Sequence, residues 1–282
     1  MQMLANSVAR EARARGLWAW AHLDNFLFSH PDANFLREQT QILVRQLVAT
    51  GFRINSRDTT LEPTSCIKFL GFFLNGLTET IGHTPHRLRE LDATLSALKH
   101  PFTHCAYQRI AGHWGFYFSI YSGHYHALRP LHLAAFTGQP PPLDWIRLFR
   151  TVWNLLPHQL PWRLPEPLQC VASDASAVGV GVCLPEGNVA VLNTDPAPIF
   201  FKELLALVFA ACLAPPRSTI LCDNQALVAA VTRGHGRTFP VPLALATTLL
   251  FLNKDLWVVW TPTDLNPADG PSRLNIRTLP RE

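Results

Sequence analysis

The chain has 282 residues with 48% hydrophobic and 16% charged side chains, 23 prolines and a formal net charge of +4 at pH 7. This composition excludes an intrinsically disordered protein and leaves room for two globular domains. No apolar run predicts a transmembrane helix, no secretory signal pattern is present, and the six cysteines form no C-x-x-C pair. We therefore expect an intracellular protein that is not secreted, has no membrane partner and carries neither a disulfide framework nor a zinc site.

The first third of the chain predicts strands around one helix. LWAWAHLDNFLFS predicts two strands that meet at a tight Asp24–Asn25 turn. Residues 31–51 have apolar side chains at helical spacing, which predicts an amphipathic helix with Gly51 as its C-cap. IKFLGFFL predicts a strand, after which Asn75–Gly76 has the chemistry of a turn.

The middle third predicts helices. They cover residues 84–100, with Pro85 in the first turn, then 107–121, 124–136 and 143–155. The tryptophans at 145, 153 and 162 are expected to pack inside this region and the linker after it. The proline-rich stretch at 161–167 predicts that linker, and strands alternate with helices beyond it.

Four acidic residues in the last third occupy ends of predicted elements. Asp174 ends an apolar run, Glu203 opens a helical segment, Asp223 ends the strand-like STILC, and Asp269 lies at a plausible helix start. Singly, each acid is more often a turn former, a cap or a solvated side chain. Together they can converge at one sheet edge, where only a cation would relieve their repulsion. This predicts a site for Mg²⁺ or Mn²⁺, and a pair of such ions about 4 Å apart is a recurrent device for hydrolysing phosphodiesters.

Basic side chains occur in three clusters, which are EARARG near the start, HRLRE at 86–90 and TRGHGRTF at 232–239. A basic surface with interleaved aromatic residues suits a phosphate backbone, although solvated basic faces are common. The clusters favour nucleic acid because a candidate phosphodiester-cleaving site accompanies them.

The order of the four acids resembles an RNase H domain, in which Asp, Glu, Asp and Asp bind two metal ions. TDLNPADGPSR and ELLALVFAACLA are similar to the RNase H end of hepadnavirus polymerases, the multifunctional P proteins of hepatitis B-type viruses. Reverse transcriptases of the DIRS retroelements share a similar N-x-A-D-x-x-SR ending. Upstream, AHLDNFLFSH resembles the aromatic-x-Asp-Asp turn of reverse transcriptases and KFLGFFLNG the primer-grip hairpin. YQRIAGHWGF and YHALRPLHLAAF resemble the hepadnaviral thumb and connection.

The resemblance implies an α/β protein in three parts. Residues 1–84 would be an α+β reverse transcriptase palm remnant with the primer-grip hairpin. Residues 85–160 would be a helical thumb or connection, and residues 161–282 an RNase H-like mixed-sheet α/β domain. The primer-grip likeness also implies that Phe69, Leu70 and Gly71 contact nucleic acid.

The implied activity is two-metal hydrolysis of the RNA strand of an RNA–DNA hybrid. Asp174 would bind both ions, with Glu203 and Asp223 on one side and Asp269 on the other. Hybrid recognition would rest on shape and the 2′-hydroxyl.

The basic loop implies further contacts with nucleic acid from Arg233, His235 and Arg237. In some RNase H enzymes a loop histidine assists proton transfer or product release, and His235 has either this role or a phosphate contact only. We favour the phosphate contact.

The implied polymerase site departs from the family. Asp24 matches the first aspartate of the turn, and Asn25 replaces the second. An amide brings no negative charge, so the affinity for a metal ion should fall. Asp58 stands where the family usually has a lysine, although Arg57 is adjacent. The family's other metal-binding aspartate belongs to an upstream fingers–palm segment, so we expect no polymerisation by this chain alone.

Partners and alternatives follow from the same resemblance. The expected partners are an RNA–DNA hybrid or a primer-template, and a fingers–palm segment or polymerase partner that would complete the palm. If the chain is viral, a replication complex or nucleocapsid is the expected location. A non-catalytic subunit that clamps a primer-template, or an endogenous viral remnant, remains an alternative.

Overall fold

The computed structural model describes residues 2–98, 102–121, 125–162, 166–193, 196–233 and 240–275. The chain divides into two compact units, Met1–Thr84 and Pro85–Glu282. This division coincides with the first of the two boundaries expected from the sequence. The second, near Pro161, lies within the second unit and stays a prediction. None of the described helices is long and apolar enough to cross a membrane.

The first unit begins with a helix that the sequence analysis missed. Its elements are α1 (Gln2–Ala14), β1 (Trp18–His22), β2 (Asn25–Ser29) and α2 (Ala33–Ala49). The buried side of α1 consists of Ala5, Ala9 and Ala12. These small side chains let α1 pack closely on the inner face of the β1–β2 hairpin.

The turn between β1 and β2 lies one residue earlier than predicted. His22 pairs with Asn25, so the two turn residues are Leu23 and Asp24, and Leu23 has φ +55°. The side chain of Gln2 stabilises this register, because its Oε1 accepts from the Leu23 N–H at 2.7 Å and its Nε2 donates to the Ala21 carbonyl at 3.2 Å. The predicted Asp24–Asn25 turn is therefore wrong, since a contact from α1 decides which residues turn.

Helix α2 is the predicted amphipathic helix, but its C-cap residue is Thr50 and not Gly51. The Asp32 carboxylate accepts from the N–H groups of Asn34 and Phe35 at its start. At its end Gly51 has φ +93° and follows the C-cap residue Thr50. The Phe52 N–H donates back to the Leu47 carbonyl at 3.0 Å, so the helix closes in a Schellman motif.

Residues 67–74 do not form the single strand predicted from their apolar run. They belong to β3 (Cys66–Phe69) and β4 (Phe72–Asn75), which pair antiparallel, and β5 (Thr80–His83) pairs with β4. Leu70 and Gly71 have φ of +50° and +84°, as a two-residue type I′ hairpin turn requires. The segment is thus a hairpin, as its likeness to the primer grip implied.

The second unit begins with helices that surround an aromatic core. They are α3 (Pro85–Ala97), α4 (His104–Phe118), a 3₁₀ turn (Tyr125–Leu128), α5 (Arg129–Thr137) and α6 (Leu143–Leu155). Trp114 packs edge-to-face on Trp153 and Phe149, and Trp145 stacks on Phe149 with ring centroids 4.8 Å apart. The predicted helices and the packing of two tryptophans are confirmed, whereas Trp162 is exposed.

A mixed sheet forms the rest of the second unit. After the short β6 (Gln159–Pro161) its strands are β7 (Gln169–Ala175), β8 (Gly179–Leu184), β9 (Gly187–Leu192), β10 (Ser218–Cys222) and β11 (Trp257–Trp260). Their order is β11-β10-β7-β8-β9, and β7, β8 and β9 are antiparallel while β10 and β11 run parallel to β7. The helices are α7 (Ile199–Leu213), α8 (Gln225–Arg233), α9 (Val241–Lys254) and α10 (Asp269–Ser272). The expected mixed-sheet α/β fold is confirmed.

Helices α7 and α9 are fixed to each other by a lysine. Lys254 Nζ, at the end of α9, donates to the carbonyls of Ala211, Cys212 and Ala214 at 2.7–3.0 Å. A cation at a helix C-terminus satisfies carbonyls that have no partner within the helix and complements its dipole. The carboxyl end of α7 therefore has a fixed position over the sheet.

The short helix α10 lies directly on β8 because two strand positions are glycines. A Cβ at Gly181 would stand 2.6 Å from the Ala268 carbonyl oxygen and would collide with the Ser272 amide nitrogen. A Cβ at Gly179 would stand 2.7 Å from the Ser272 carbonyl oxygen. Glycines alternate with valines in VGVGV, so the face of β8 that carries Gly179 and Gly181 has room for the backbone of residues 268–272. We call this face the glycine track of β8.

We expect the Gly181→Ala substitution to destabilise the protein by about 2–4 kcal/mol, because the backbone of residues 268–272 would have to move away from the added Cβ. Gly112→Ala is the matched control, since Gly112 lies in α4 with nothing near its Cβ position. The control should be neutral or stabilising by about 0.5–1 kcal/mol. Urea denaturation of both variants tests this, and equal stability would contradict the close packing of α10 on β8.

Candidate active site

Two of the predicted acids lie side by side at the carboxyl ends of parallel strands. Ser173 of β7 pairs with Cys222 of β10, so the following residues, Asp174 and Asp223, are level with each other. Asp174 is buried, while Asp223 is half-buried just beyond its strand. The Trp260 indole N–H donates to the Asp223 carbonyl at 3.1 Å and links this strand end to β11.

Glu203 reaches the same strand ends from α7. Its side chain is buried, and among the described residues its Oε2 has no hydrogen-bond partner. One ligand atom each from Glu203, Cys222 and Asp223 lie within 4.8 Å of one another. A buried carboxylate oxygen without a donor is costly unless it is protonated or bound to a cation.

Asp269 approaches Asp174 from the other side, as the first residue of α10. Its Oδ1 accepts from Arg273 Nη2 at 2.8 Å and Nε at 3.0 Å. Ser272, in the same helical turn, donates from its hydroxyl to Asp174 Oδ2 at 2.5 Å. The helix therefore brings the fourth acid and a hydrogen-bond donor to the site together.

The pKa values of the two buried acids are raised mainly by burial and further by the charges of neighbouring acids. Burial raises the pKa of Asp174, the Ser272 hydrogen bond opposes this, and the charges of Asp223 and Asp269 raise it further. Burial raises the pKa of Glu203 to about 8, and the charges of Asp174 and Asp223 add to the effect. The four predicted acids thus form one electrostatic group, and a divalent cation would reverse the sign of these effects.

Cys222 is a member of this group that the sequence analysis missed. Burial raises the pKa of its thiol to about 12, so the thiol stays protonated and is a poor metal ligand. The remaining donors are carboxylate oxygens, which suit Mg²⁺ or Mn²⁺. The sequence could have indicated Cys222, because it is the last residue of the predicted strand STILC and directly precedes Asp223. Alternate residues of a strand face the same helix layer.

The residues predicted to contact nucleic acid are dispersed. Arg233 is exposed at the end of α8, whereas His235 and Arg237 lie outside the described residues. Phe69, Leu70 and Gly71 form the β3–β4 turn in the first unit.

The predicted polymerase residue Asp24 is also in the first unit, at an exposed turn. Its Oδ1 accepts from the side-chain amide of Asn25 at 3.1 Å. Asp24 therefore stays a prediction, and it is more exposed than the buried Asp174 and Glu203 and the half-buried Asp223 and Asp269. Two arginines of the EARARG cluster already bind other groups of the first unit. Arg13 donates to the Ala19 carbonyl, and Arg15 forms an ion pair with Glu11 at 2.8 Å.

A family model described as the C-terminal domain of viral DNA polymerase matches residues 81–279. The chain belongs to this family. The match covers the helical part, the mixed sheet and all four acids of the candidate site.

Relatives of the chain include the P proteins of hepatitis B viruses from birds and humans. Protein P of duck hepatitis B virus (strain Germany/DHBV-3) is 27% identical over 93% of this chain and 33% of its own length. The heron virus protein is 25% identical over 97% of this chain and 34% of its own length. Protein P of hepatitis B virus genotype D is 28% identical over 95% and 31%, respectively. The chain spans about a third of the length of the curated relatives it matches.

A solved structure of the foamy viral protease-reverse transcriptase dRH in complex with ds DNA also matches. It has a TM-score of 0.47 and 13% identity, and the match covers 93% of this chain and 49% of that one. A likeness of this size bears on neither the activity nor the ligands of the chain.

The raised pKa of Glu203 predicts how the stability of the metal-free protein depends on pH. Between the ordinary glutamate pKa of 4.5 and about 8, the folded state keeps a proton that the unfolded state releases. Stability should therefore fall as pH rises through this window. Glu203→Gln should remove this part of the loss and exceed the wild type at pH 8 by on the order of 1–3 kcal/mol.

Denaturant titrations in EDTA at pH 5 and pH 8 measure this difference. Glu186→Gln, at an exposed glutamate of the β8–β9 turn, removes the same charge and is the control. A Glu203→Gln protein that loses as much stability with pH as the wild type would show that Glu203 is not the buried acid described.

Proposed function

We propose that the mixed-sheet part of the second unit is a ribonuclease H that cleaves the RNA strand of an RNA–DNA hybrid. The observation that carries the proposal is a group of neighbouring carboxylates in which Asp174 and Glu203 are buried and Glu203 Oε2 has no partner among the described residues. Membership of the viral polymerase C-terminal family supports it. The proposed cofactors are two Mg²⁺ or Mn²⁺ ions.

The distribution of charge supports a division of the acids between the two ions. Asp174 is repelled by both Asp223 and Asp269, whereas the charges that act on Glu203 are those of Asp174 and Asp223. This favours an arrangement in which Asp174 would lie between Glu203 and Asp223 on one side and Asp269 on the other. We assign Asp174 to both ions on this ground.

The chemistry is then shared between bound ions and protein. When bound, the ions supply an activated water and stabilise charge on the leaving oxygen. The carboxylates hold that charge in place, and the buried layer beneath them excludes water from one side. Arg233, with His235 and Arg237 that follow it in the sequence, would bind the phosphate backbone of the hybrid.

The proposal predicts Mg²⁺- or Mn²⁺-dependent cleavage of a labelled RNA–DNA hybrid by the full chain. Asp223→Asn should lower the rate more than about 100-fold, since even indirect partners of metal ligands cost about 10–100-fold. Asp264→Asn, at an exposed acid just after β11, is the matched control and should cleave normally. Equal rates for Asp223→Asn and the wild type would reject the metal site.

The first unit supports a different expectation, that this chain alone does not extend a primer. The exposed Asp24 has an amide neighbour where the family has a second carboxylate. A primer-extension assay with the full chain should give no product. Product that disappears in an Asp24→Ala variant would show that this turn is a working polymerase site despite Asn25.

The relatives' greater length is consistent with a fingers–palm segment or polymerase partner that would complete the palm. A non-catalytic primer-template clamp is the alternative function, and it would be favoured by tight binding of hybrid without any cleavage.

A further inference from the structure

The hydrogen bond from Ser272 to Asp174 joins two parts of the candidate site that are distant in sequence. Ser272 has 0% and Asp174 5% of its surface exposed, and the Oγ–Oδ2 distance is 2.5 Å. Ser272 lies in α10, the helix that begins with Asp269. One buried hydroxyl therefore connects the first acid of the site to the element that carries the last.

The Ser272 hydroxyl has two acceptors within reach and one proton. Its Oγ is 2.9 Å from the Asp269 carbonyl and 2.5 Å from the Asp174 carboxylate. A hydrogen bond to a charged acceptor is shorter and roughly twice as strong as one to a neutral acceptor. The proton is therefore assigned to Asp174, and the hydrogen bond lowers the pKa of that carboxyl against the effect of burial.

The backbone around Ser272 holds its hydroxyl in place. Ser176 Oγ donates to the Ser272 carbonyl at 2.7 Å, and the glycine track of β8 fits its amide. Asn266 donates to the Ser173 carbonyl at 3.0 Å and accepts from the Ala268 N–H at 3.1 Å, which ties the start of this segment to β7. The backbone that carries the Ser272 side chain is thus held in place by hydrogen bonds and by close packing on β8.

We propose that Ser272 is a positioning residue of the metal site, where it fixes the Asp174 carboxylate relative to Asp269. This inference rests on the proposed function, because it assumes that Asp174 and Asp269 bind ions. Ser272 itself binds no ion in this proposal. Its hydroxyl restricts the rotation of the Asp174 carboxylate and keeps an oxygen of Asp174 aligned with the helix of Asp269.

The proposal can be tested without substrate by measuring the affinity of the full chain for Mn²⁺. Titration calorimetry and the electron paramagnetic resonance signal of free Mn²⁺ both report this affinity. Ser272→Ala should weaken binding about 10-fold or more, as loss of a partner of a metal ligand does. Ser272→Thr keeps the hydroxyl and should stay within about threefold of the wild type.

Ser218→Ala controls for the loss of any buried serine, because Ser218 is also fully buried in this sheet and donates to the Pro215 carbonyl at 2.7 Å. Its Mn²⁺ affinity should equal that of the wild type. Thermal unfolding of the metal-free variants establishes that each is folded.

The outcomes separate the two proposals. Equal affinity of Ser272→Ala and the wild type, or equal weakening of Ser272→Ala and Ser272→Thr in folded protein, overturns the positioning role. Equal weakening by Ser218→Ala overturns it as well, since the effect would then be a general loss of packing. A wild-type chain that binds no Mn²⁺ overturns the proposed function instead.

Discussion

The burial of two acids, Asp174 and Glu203, at the strand ends is the constraint around which the second unit is arranged. Burial raises the pKa of both carboxyl groups, and the charges of neighbouring acids raise it further, so both acids carry a cost in the folded protein. The ammonium of the buried Lys202, the residue before Glu203, donates to the carbonyls of Ala177 and Asn193, and within the described part of the chain it forms no ion pair with either acid. Sheet and helix therefore maintain an arrangement that a divalent cation would stabilise.

The cost is tolerated because the acids stand on separately stabilised elements. Asp174 and Asp223 follow from the register of parallel strands, and Glu203 from a helix whose end is fixed by Lys254. Asp269 depends on the close packing of four-residue α10 on the glycines of β8 and on the hydrogen bonds of Ser176 and Asn266 that hold this segment to β7 and the turn after it. The position of Asp269 is thus sensitive to substitutions outside the acids themselves.

This difference between the elements explains what the sequence could predict. Strand ends and helix starts are visible as apolar runs that stop at a polar residue, so the acids and the bounds of α6 were predictable. The Leu23–Asp24 turn and the role of Ser272 were not, because each depends on a partner that is remote in sequence. A serine in NPADGPSR has no local signature, and only the fold shows that it meets Asp174.

The same physical argument distinguishes Asp24 from Asp174 as a candidate metal ligand. Asp24 is exposed, and an amide accompanies it, so water can solvate its charge and little is gained by exchanging that water for an ion. Asp174 is desolvated and repelled by neighbouring acids, so binding an ion removes an existing cost. Burial and charge together, and not the presence of an aspartate alone, lead us to propose hydrolysis rather than nucleotide transfer for this chain.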